Sequence, residues 1–149
     1  MTTATLPVLL GAGGGFLAAV LWFDLMFDVQ ALRLDEPDGD ARLTSMADYY
    51  RRVTIEAFPA GHMVATVMLL TITGSVVQWW RSPSWRAFLA VLLVTAPVTL
   101  AGRRIIPNAQ RLGRRSDPPP EQRALARRIW RDHVVCFVCV VTFLVLQVW

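Results

Sequence analysis

The chain has 149 residues, of which 54% are hydrophobic and 17% are charged. This length suits one domain, and soluble domains carry about 25% charged residues, so the composition excludes a disordered chain and argues against an ordinary soluble enzyme. All 15 basic residues are arginines, and the net charge is +4. A basic chain can bind nucleic acid, so the positions of the arginines decide what this charge does.

Four long apolar runs organise the sequence. A helix needs about 20 apolar residues to cross the hydrocarbon core of a bilayer, and each run is close to that length. Apolar side chains occur on all sides of each run, which is typical of a helix in lipid. We therefore predict an all-α integral membrane four-helix bundle forming a single domain, with spans at about 6–29, 57–80, 85–106 and 129–149. No basic residue precedes the first run, which favours a retained span over a cleaved signal peptide.

The arginines are distributed unevenly between the connecting segments. Segments 30–54 and 103–132 hold 13 of the 15, and the short turn around Pro83 holds the other two. Positively charged loops stay in the cytoplasm. This predicts that both termini lie outside, that the loops at about 30–56 and 107–128 are cytoplasmic, and that the protein is a multi-pass protein of the bacterial cytoplasmic (inner) membrane. Topology then explains the arginines, and no nucleic-acid partner is expected.

The two predicted inner loops contain structure of their own. Asp35–Asp40 forms an acidic turn with Pro and Gly. Thr44–Ile55 is predicted to be a helix at the membrane interface, with Tyr49 and Tyr50 as its anchors. Ser116-Asp117 followed by three prolines is a helix start, and this helix is predicted to continue through the fourth span.

Two stripes of residues predict partners. One consists of three arginines at intervals of four in the last predicted helix: Arg123, Arg127 and Arg131. It predicts contact with anionic lipid headgroups. The other consists of small residues on the first span: Gly11, Gly15 and Ala19. It predicts a close-packing face, either within the bundle or against a membrane-protein partner or a second copy of the chain.

Polar side chains from all four spans are predicted to reach one depth, the cytoplasmic boundary. The set is Asp24, Asp28, Glu56, His62, Arg103, Arg104, Asn108, Asp132 and His133. Ionisable groups in a membrane usually face inward and pair. We predict that Asp24 and Asp28 pair with the Arg103–Arg104 segment and that His133 joins them. The alternative is a functional site that opens to the cytoplasm. No ligand spacing is diagnostic of a metal, so none is predicted, and no catalytic residue is assigned.

Cys136 and Cys139 form a Cys-x-x-Cys pair within the last span. The predicted topology places these thiols in the cytoplasmic leaflet, where disulfides are rare, and no second cysteine pair is present to relay electrons. We interpret both as small hydrophobic residues rather than as a redox centre.

Several sequence blocks resemble known membrane proteins. Ile106-Pro107-Asn108 and Trp130–His133 resemble the small four-span proteins grouped with anthrone oxygenases, over the last third of the chain. Trp22–Gln30 and Asp48–Thr54 resemble a bacterial group of four-span membrane proteins. The first resemblance implies that Asn108 and His133 orient an aromatic substrate.

Three functions are compatible with these observations. We predict a small accessory or binding subunit of a membrane assembly, because it fits a short bundle that lacks a catalytic motif, and the other two functions are alternatives. A small oxidoreductase-like membrane enzyme acting on a lipid-soluble aromatic or quinone-like molecule fits the polar layer, and its cofactor is unknown. A transporter would have to be an oligomer, because four spans without a visible inverted repeat do not enclose a pathway.

Overall fold

The computed structural model describes residues 5–56 and 60–148, which form helices and turns with no strand among them. Within these residues, four helices are long and apolar enough to cross a membrane: Thr5–Arg33, Gly61–Arg81, Trp85–Arg114 and Pro119–Val148. The all-α class and the four candidate spans are thus confirmed. The first residues of the predicted second span and Trp149 lie outside the described residues.

The helices follow one another with short connections. Helix α1 is Thr5–Asp28 and continues as a 3₁₀ turn over Val29–Arg33, and helix α2 is Gly39–Arg51, followed by a π-helical segment at Arg52–Glu56. Helix α3 is Ala60–Arg81. Helix α4, Trp85–Leu100, passes through a π-helical segment at Ala101–Ile105 into α5, Ile106–Arg114, and helix α6 is Pro119–Val148.

Local chemistry explains several helix ends. The Ser84 hydroxyl accepts a hydrogen bond from the backbone N–H of Ala87 at 3.2 Å and caps the start of α4. Arg115 adopts the left-handed conformation, with φ of 51°, and ends α5. Helix α6 begins within the three prolines, as the sequence predicted, because proline suits the first turn of a helix.

Helices α1, α3, α4 and α6 form a ring in which each packs on two neighbours. Helix α1 packs on α3 and α6, and α4 packs on the same two helices. Within the described residues, the diagonal pairs, α1 with α4 and α3 with α6, are not neighbours, since no Cα atom of one helix lies within 8 Å of a Cα atom of the other. This order determines which polar side chains can meet.

Glycines let α1 approach both of its neighbours. A Cβ atom at Gly13 would lie 2.5 Å from Thr71 Oγ1 on α3, and one at Gly14 would lie 2.8 Å from Leu144 Cδ2 on α6. By contrast, a Cβ atom at Gly11 or Gly15 would meet nothing within 4 Å. The predicted small-residue stripe therefore does not pack within the bundle, and a partner on that face stays a prediction.

Helix α2 packs against α5 and the first half of α6 to form a cap on one end of the bundle. The cap contains the larger apolar core, whose fully buried members include Leu34, Met46, Leu112 and Ile129. The predicted helix at Thr44–Ile55 exists, but it starts at Gly39 and ends at Arg51. The prediction that Tyr50 anchors at the interface is wrong, because its ring is buried between helices and only 2% exposed.

Two salt bridges join the acidic turn to α6. Arg123 Nη2 lies 2.7 Å from Asp40 Oδ1, and Arg127 Nη2 lies 2.7 Å from Asp35 Oδ2. Two of the three arginines predicted to contact lipid headgroups therefore have carboxylate partners within the chain. Arg131 is exposed, and headgroup contact stays a prediction.

Gly113 is the point of closest approach between α5 and α2. A Cβ atom at this position would lie 2.7 Å from the backbone nitrogen of Arg51 and 3.1 Å from the carbonyl carbon of Tyr50. Both are backbone atoms, so a side chain could be accommodated only if α2 moved. The absence of a side chain at Gly113 therefore allows α5 to pack directly against the backbone of α2 at Tyr50 and Arg51.

We expect Gly113→Ala to lower the free energy of unfolding by about 1–3 kcal/mol, the usual cost of overpacking a tight contact. Thermal unfolding in detergent, followed by circular dichroism, measures this change. Gly102→Ala is the matched control, because a Cβ atom there meets nothing within 4 Å. Equal melting temperatures for the two variants would contradict the close approach of α5 and α2.

Candidate functional site

The candidate site begins with two carboxylates on one face of α1. Asp24 and Asp28 are one helical turn apart, and both point toward α2 and α6 through the contacts described below. Asp28 is completely buried, whereas the Asp24 side chain is 18% exposed. A buried carboxylate must be supplied with hydrogen-bond donors, so its neighbours determine what it can do.

His133 on α6 lies between the two carboxylates. Its Nδ1 atom is 2.6 Å from Asp28 Oδ2, a hydrogen-bond distance. Its Nε2 atom is 3.9 Å from Asp24 Oδ2, which is an ion-pair distance but too long for a hydrogen bond. Asp28 thus fixes the imidazole ring through Nδ1, while Nε2 faces the more accessible carboxylate.

Two tyrosines from α2 complete the group. The Tyr49 hydroxyl donates a hydrogen bond to Asp24 Oδ1 at 2.5 Å, and the Tyr50 hydroxyl donates to Asp28 Oδ1. The Tyr49 ring stacks on Phe27 of α1, with ring centroids 4.1 Å apart. We call this group the Asp–His–Tyr cluster: Asp24, Asp28, Tyr49, Tyr50 and His133.

Both tyrosines are held in the protonated form. Burial raises the pKa of Tyr49 above its ordinary value, and the neighbouring Asp24 carboxylate raises it further. Burial also raises the pKa of Tyr50, and the Asp28 carboxylate acts in the same direction. An ionised tyrosine beside a carboxylate would place two like charges together in a dry site, so both hydroxyls remain donors.

The arginines predicted to neutralise Asp24 and Asp28 lie elsewhere. Arg104 Nη2 is 3.2 Å from Asp132 Oδ1 on the adjacent helix α6. Arg103 is exposed, and no ion pair involves it within the part of the chain that the structure describes. The predicted pairing is wrong because α4 is diagonal to α1, so the arginines that follow α4 meet α6 and not Asp24 or Asp28.

Three other predicted site residues do not join the cluster. Glu56 is exposed and lies 3.7 Å from Arg51. His62 is exposed at the start of α3, and Asn108 is half-buried on α5. Within the described residues, the hydrogen bonds and ion pairs of the cluster come from α1, α2 and α6. Tyr49 and Tyr50 are the members that sequence reasoning missed as site residues.

The two cysteines are free thiols, and no metal-binding group of side chains is found in the described residues. Cys136 is buried with its Sγ atom 3.8 Å from the Pro97 carbonyl oxygen, Cys139 is half-buried, and neither forms a disulfide. No group of three or more His, Cys, Asp or Glu side chains within residues 5–56 and 60–148 is arranged to hold a metal ion.

No protein-family model, no curated protein and no solved structure matches this chain. The class that the fold defines is a helical protein with four helices long and apolar enough to span a membrane.

The two tyrosines of the cluster are the only two in the sequence, so tyrosine ionisation reports on it directly. We expect the folded protein to show no tyrosinate absorbance at about pH 10, where unfolded tyrosines are half ionised. A raised pKa in the folded state means that the associated stability is present below about pH 10 and is lost as the pH rises further. An absorbance titration measures both effects, with denatured protein as the control, and a midpoint near pH 10 in folded protein would contradict the buried arrangement.

Proposed function

We propose that this chain is a small membrane enzyme in which His133 transfers a proton to or from a lipid-soluble aromatic or quinone-like molecule. The observation that carries the proposal is the asymmetric placement of the imidazole. Its Nδ1 atom is bound by the buried Asp28 carboxylate, and its Nε2 atom makes no hydrogen bond within the described residues. A carboxylate that orients a histidine through one nitrogen leaves the other nitrogen to act as acid or base.

The proton transfer can be written from these side chains. A substrate hydroxyl within hydrogen-bond reach of His133 Nε2, on the side away from Asp24, would give its proton to Nε2 and become an oxyanion paired with the imidazolium. The resulting imidazolium would lie between two carboxylates, which stabilise its positive charge. The reverse transfer returns the proton to the product. Tyr49 and Tyr50 hold the carboxylates in place by hydrogen bonding to their remaining oxygen atoms.

The surroundings of Asp24 support an aromatic, lipid-soluble substrate. Asp24 is the more accessible of the two carboxylates, and the neighbouring side chains of Trp22, Phe23 and Phe27 are exposed on α1. Since α1 is a candidate membrane span, these aromatic groups would face lipid. A planar molecule dissolved in the bilayer could approach the cluster along this face and stack on the rings.

We expect protein purified gently from native membranes to retain an aromatic compound that organic extraction and mass spectrometry can detect. His133→Gln should reduce its amount about tenfold, the effect of losing one charge-assisted hydrogen bond of about 1.5 kcal/mol. His62→Gln is the matched control, because His62 is the only other histidine and lies outside the cluster. Equal retention by both variants, with both folded, would refute the role of His133.

A second candidate is the accessory or binding subunit that the sequence favoured. Two observations support it. Apart from His133 Nε2, the polar side-chain atoms of the cluster are paired within the cluster. Two open cavities in the described part of the chain lie around the α3–α4 turn, away from the cluster. In that case the cluster only fastens α2 to α1 and α6. A fixed membrane-protein partner that co-purifies with wild type and with folded His133→Gln, and no bound aromatic compound, would favour this candidate. The oligomeric transporter stays a prediction.

We further propose that both termini face outward, that the cap faces the cytoplasm, and that the membrane is the bacterial inner membrane, on the support of the arginine distribution. The test uses Cys136→Ala/Cys139→Ala as the background. In intact cells, a membrane-impermeant maleimide should label Ser84→Cys, in the α3–α4 turn, and should not label Ser45→Cys, on the exposed face of α2. The opposite labelling pattern would invert the topology.

A further inference from the structure

A second polar site lies at the end of the bundle opposite the Asp–His–Tyr cluster. Gln78 lies near the end of α3, and Gln147 lies near the end of α6, 14 residues beyond His133 and therefore about 21 Å farther along the helix. They are the two glutamines within the candidate spans at this end of the bundle, and neither belongs to the proposed proton-transfer site.

The two glutamines line the same cavity. Its volume is about 200 Å³. Its lining consists of the side chains of Gln78, Ser82, Ser84, Arg86, Ala87, Ala90, Leu146 and Gln147. Helices α3 and α6 are diagonal in the ring, with no Cα atoms within 8 Å of each other in the described residues, and the cavity lies between their ends beside α4. The cavity is open on the side of α4 because the side chains of Ala87 and Ala90 are small.

Both amide oxygens in this cavity lack a hydrogen-bond partner. The Oε1 atoms of Gln78 and Gln147 are buried, and each is without a donor in the described part of the chain. Buried polar atoms in native proteins are nearly always paired, so two orphaned acceptors in one cavity indicate a missing donor. A molecule with two or more N–H or O–H groups could satisfy both at once and bridge α3 to α6.

The position of the cavity indicates where that donor comes from. Trp79, Trp80 and Trp85 surround the α3–α4 turn and are all exposed. Exposed tryptophans at one end of membrane-spanning helices lie at the level of the lipid headgroups. The exposed turn residues Ser82 and Ser84 are part of the cavity wall, so a headgroup could enter from this level.

We propose that this cavity binds a phospholipid headgroup that carries hydrogen-bond donors, the ammonium of ethanolamine or the hydroxyls of glycerol, through the amide oxygens of Gln78 and Gln147. The choline headgroup is excluded from this role, because its quaternary ammonium has no N–H group. The donors on ethanolamine and glycerol, which choline lacks, are the basis on which the two amide oxygens discriminate between headgroups.

Native mass spectrometry of the full-length protein in detergent tests this proposal. The probes are phosphatidylethanolamine, phosphatidylglycerol and phosphatidylcholine with identical acyl chains. We expect the first two to bind about tenfold more tightly than the third, since each of two hydrogen bonds adds a modest factor. The double variant Gln78→Leu/Gln147→Leu should abolish this preference. Gln110→Leu, on α5 at the other end, should leave it intact and is the control.

Three other results would contradict all or part of the lipid-binding proposal. Equal binding of the three lipids by wild type would overturn the proposal and leave only water in the cavity. A preference that persists in the folded double variant would also overturn it. If millimolar free ethanolamine or glycerol binds in phosphatidylcholine micelles and the double variant abolishes that binding, the donor chemistry holds but the lipid source is refuted.

Discussion

The burial of one carboxylate, Asp28, is the constraint on which the rest of this structure depends. An ionised carboxylate out of water is costly unless donors surround it. Here one donor comes from α2, through Tyr50, and the other group in contact comes from α6, through His133. The three side chains come from three different helices, and His133 is 105 positions from Asp28, so satisfying this one carboxylate specifies how the cap sits on the bundle. Apolar packing alone would allow α2 to slide or rotate, because hydrophobic contact has no direction.

The sequence predicts the features that depend on neighbouring residues in the chain, and it does not predict the features that depend on which helices pack together. Hydropathy and length are local properties, and they correctly predict the four candidate spans. The prolines after Asp117 correctly predict the start of α6. The spacing of Asp24 and Asp28 correctly places both on one helix face, but it does not show which helix that face meets. Ring order is a tertiary property, and assigning Arg103 and Arg104 to these carboxylates required α4 to be adjacent to α1.

The tyrosines show a second limit of sequence reasoning. A Tyr-Tyr pair in an amphipathic helix is typical of an interfacial anchor, and nothing within α2 excludes that interpretation. The Tyr50 hydroxyl is held by Asp28 of α1 and lies near His133 of α6. The missing side chain at Gly113 lets α5 pack on the backbone of Tyr50 and Arg51. Asp28, His133 and Gly113 all lie outside α2. The ion pairs of the acidic turn also depend on tertiary packing. Its negative charge and the basic stripe of α6 are each visible in the sequence, yet their pairing depends on α2 folding back over α6.

Helix α4 connects the four-helix ring to the cap, because it continues through the π-helical segment into α5. Pro97 is buried in this helix, its carbonyl oxygen contacts Cys136 of α6, and the π-helical segment that follows changes the direction in which side chains project. Helix α5 continues from that segment and carries Gly113 to α2. The position of Tyr50, and through it the orientation of Asp28 and His133, therefore depends on how α4 passes into α5. The proton transfer proposed for His133 requires a fixed geometry, and the large apolar core of the cap supplies that rigidity, whereas the four candidate spans enclose a smaller buried core.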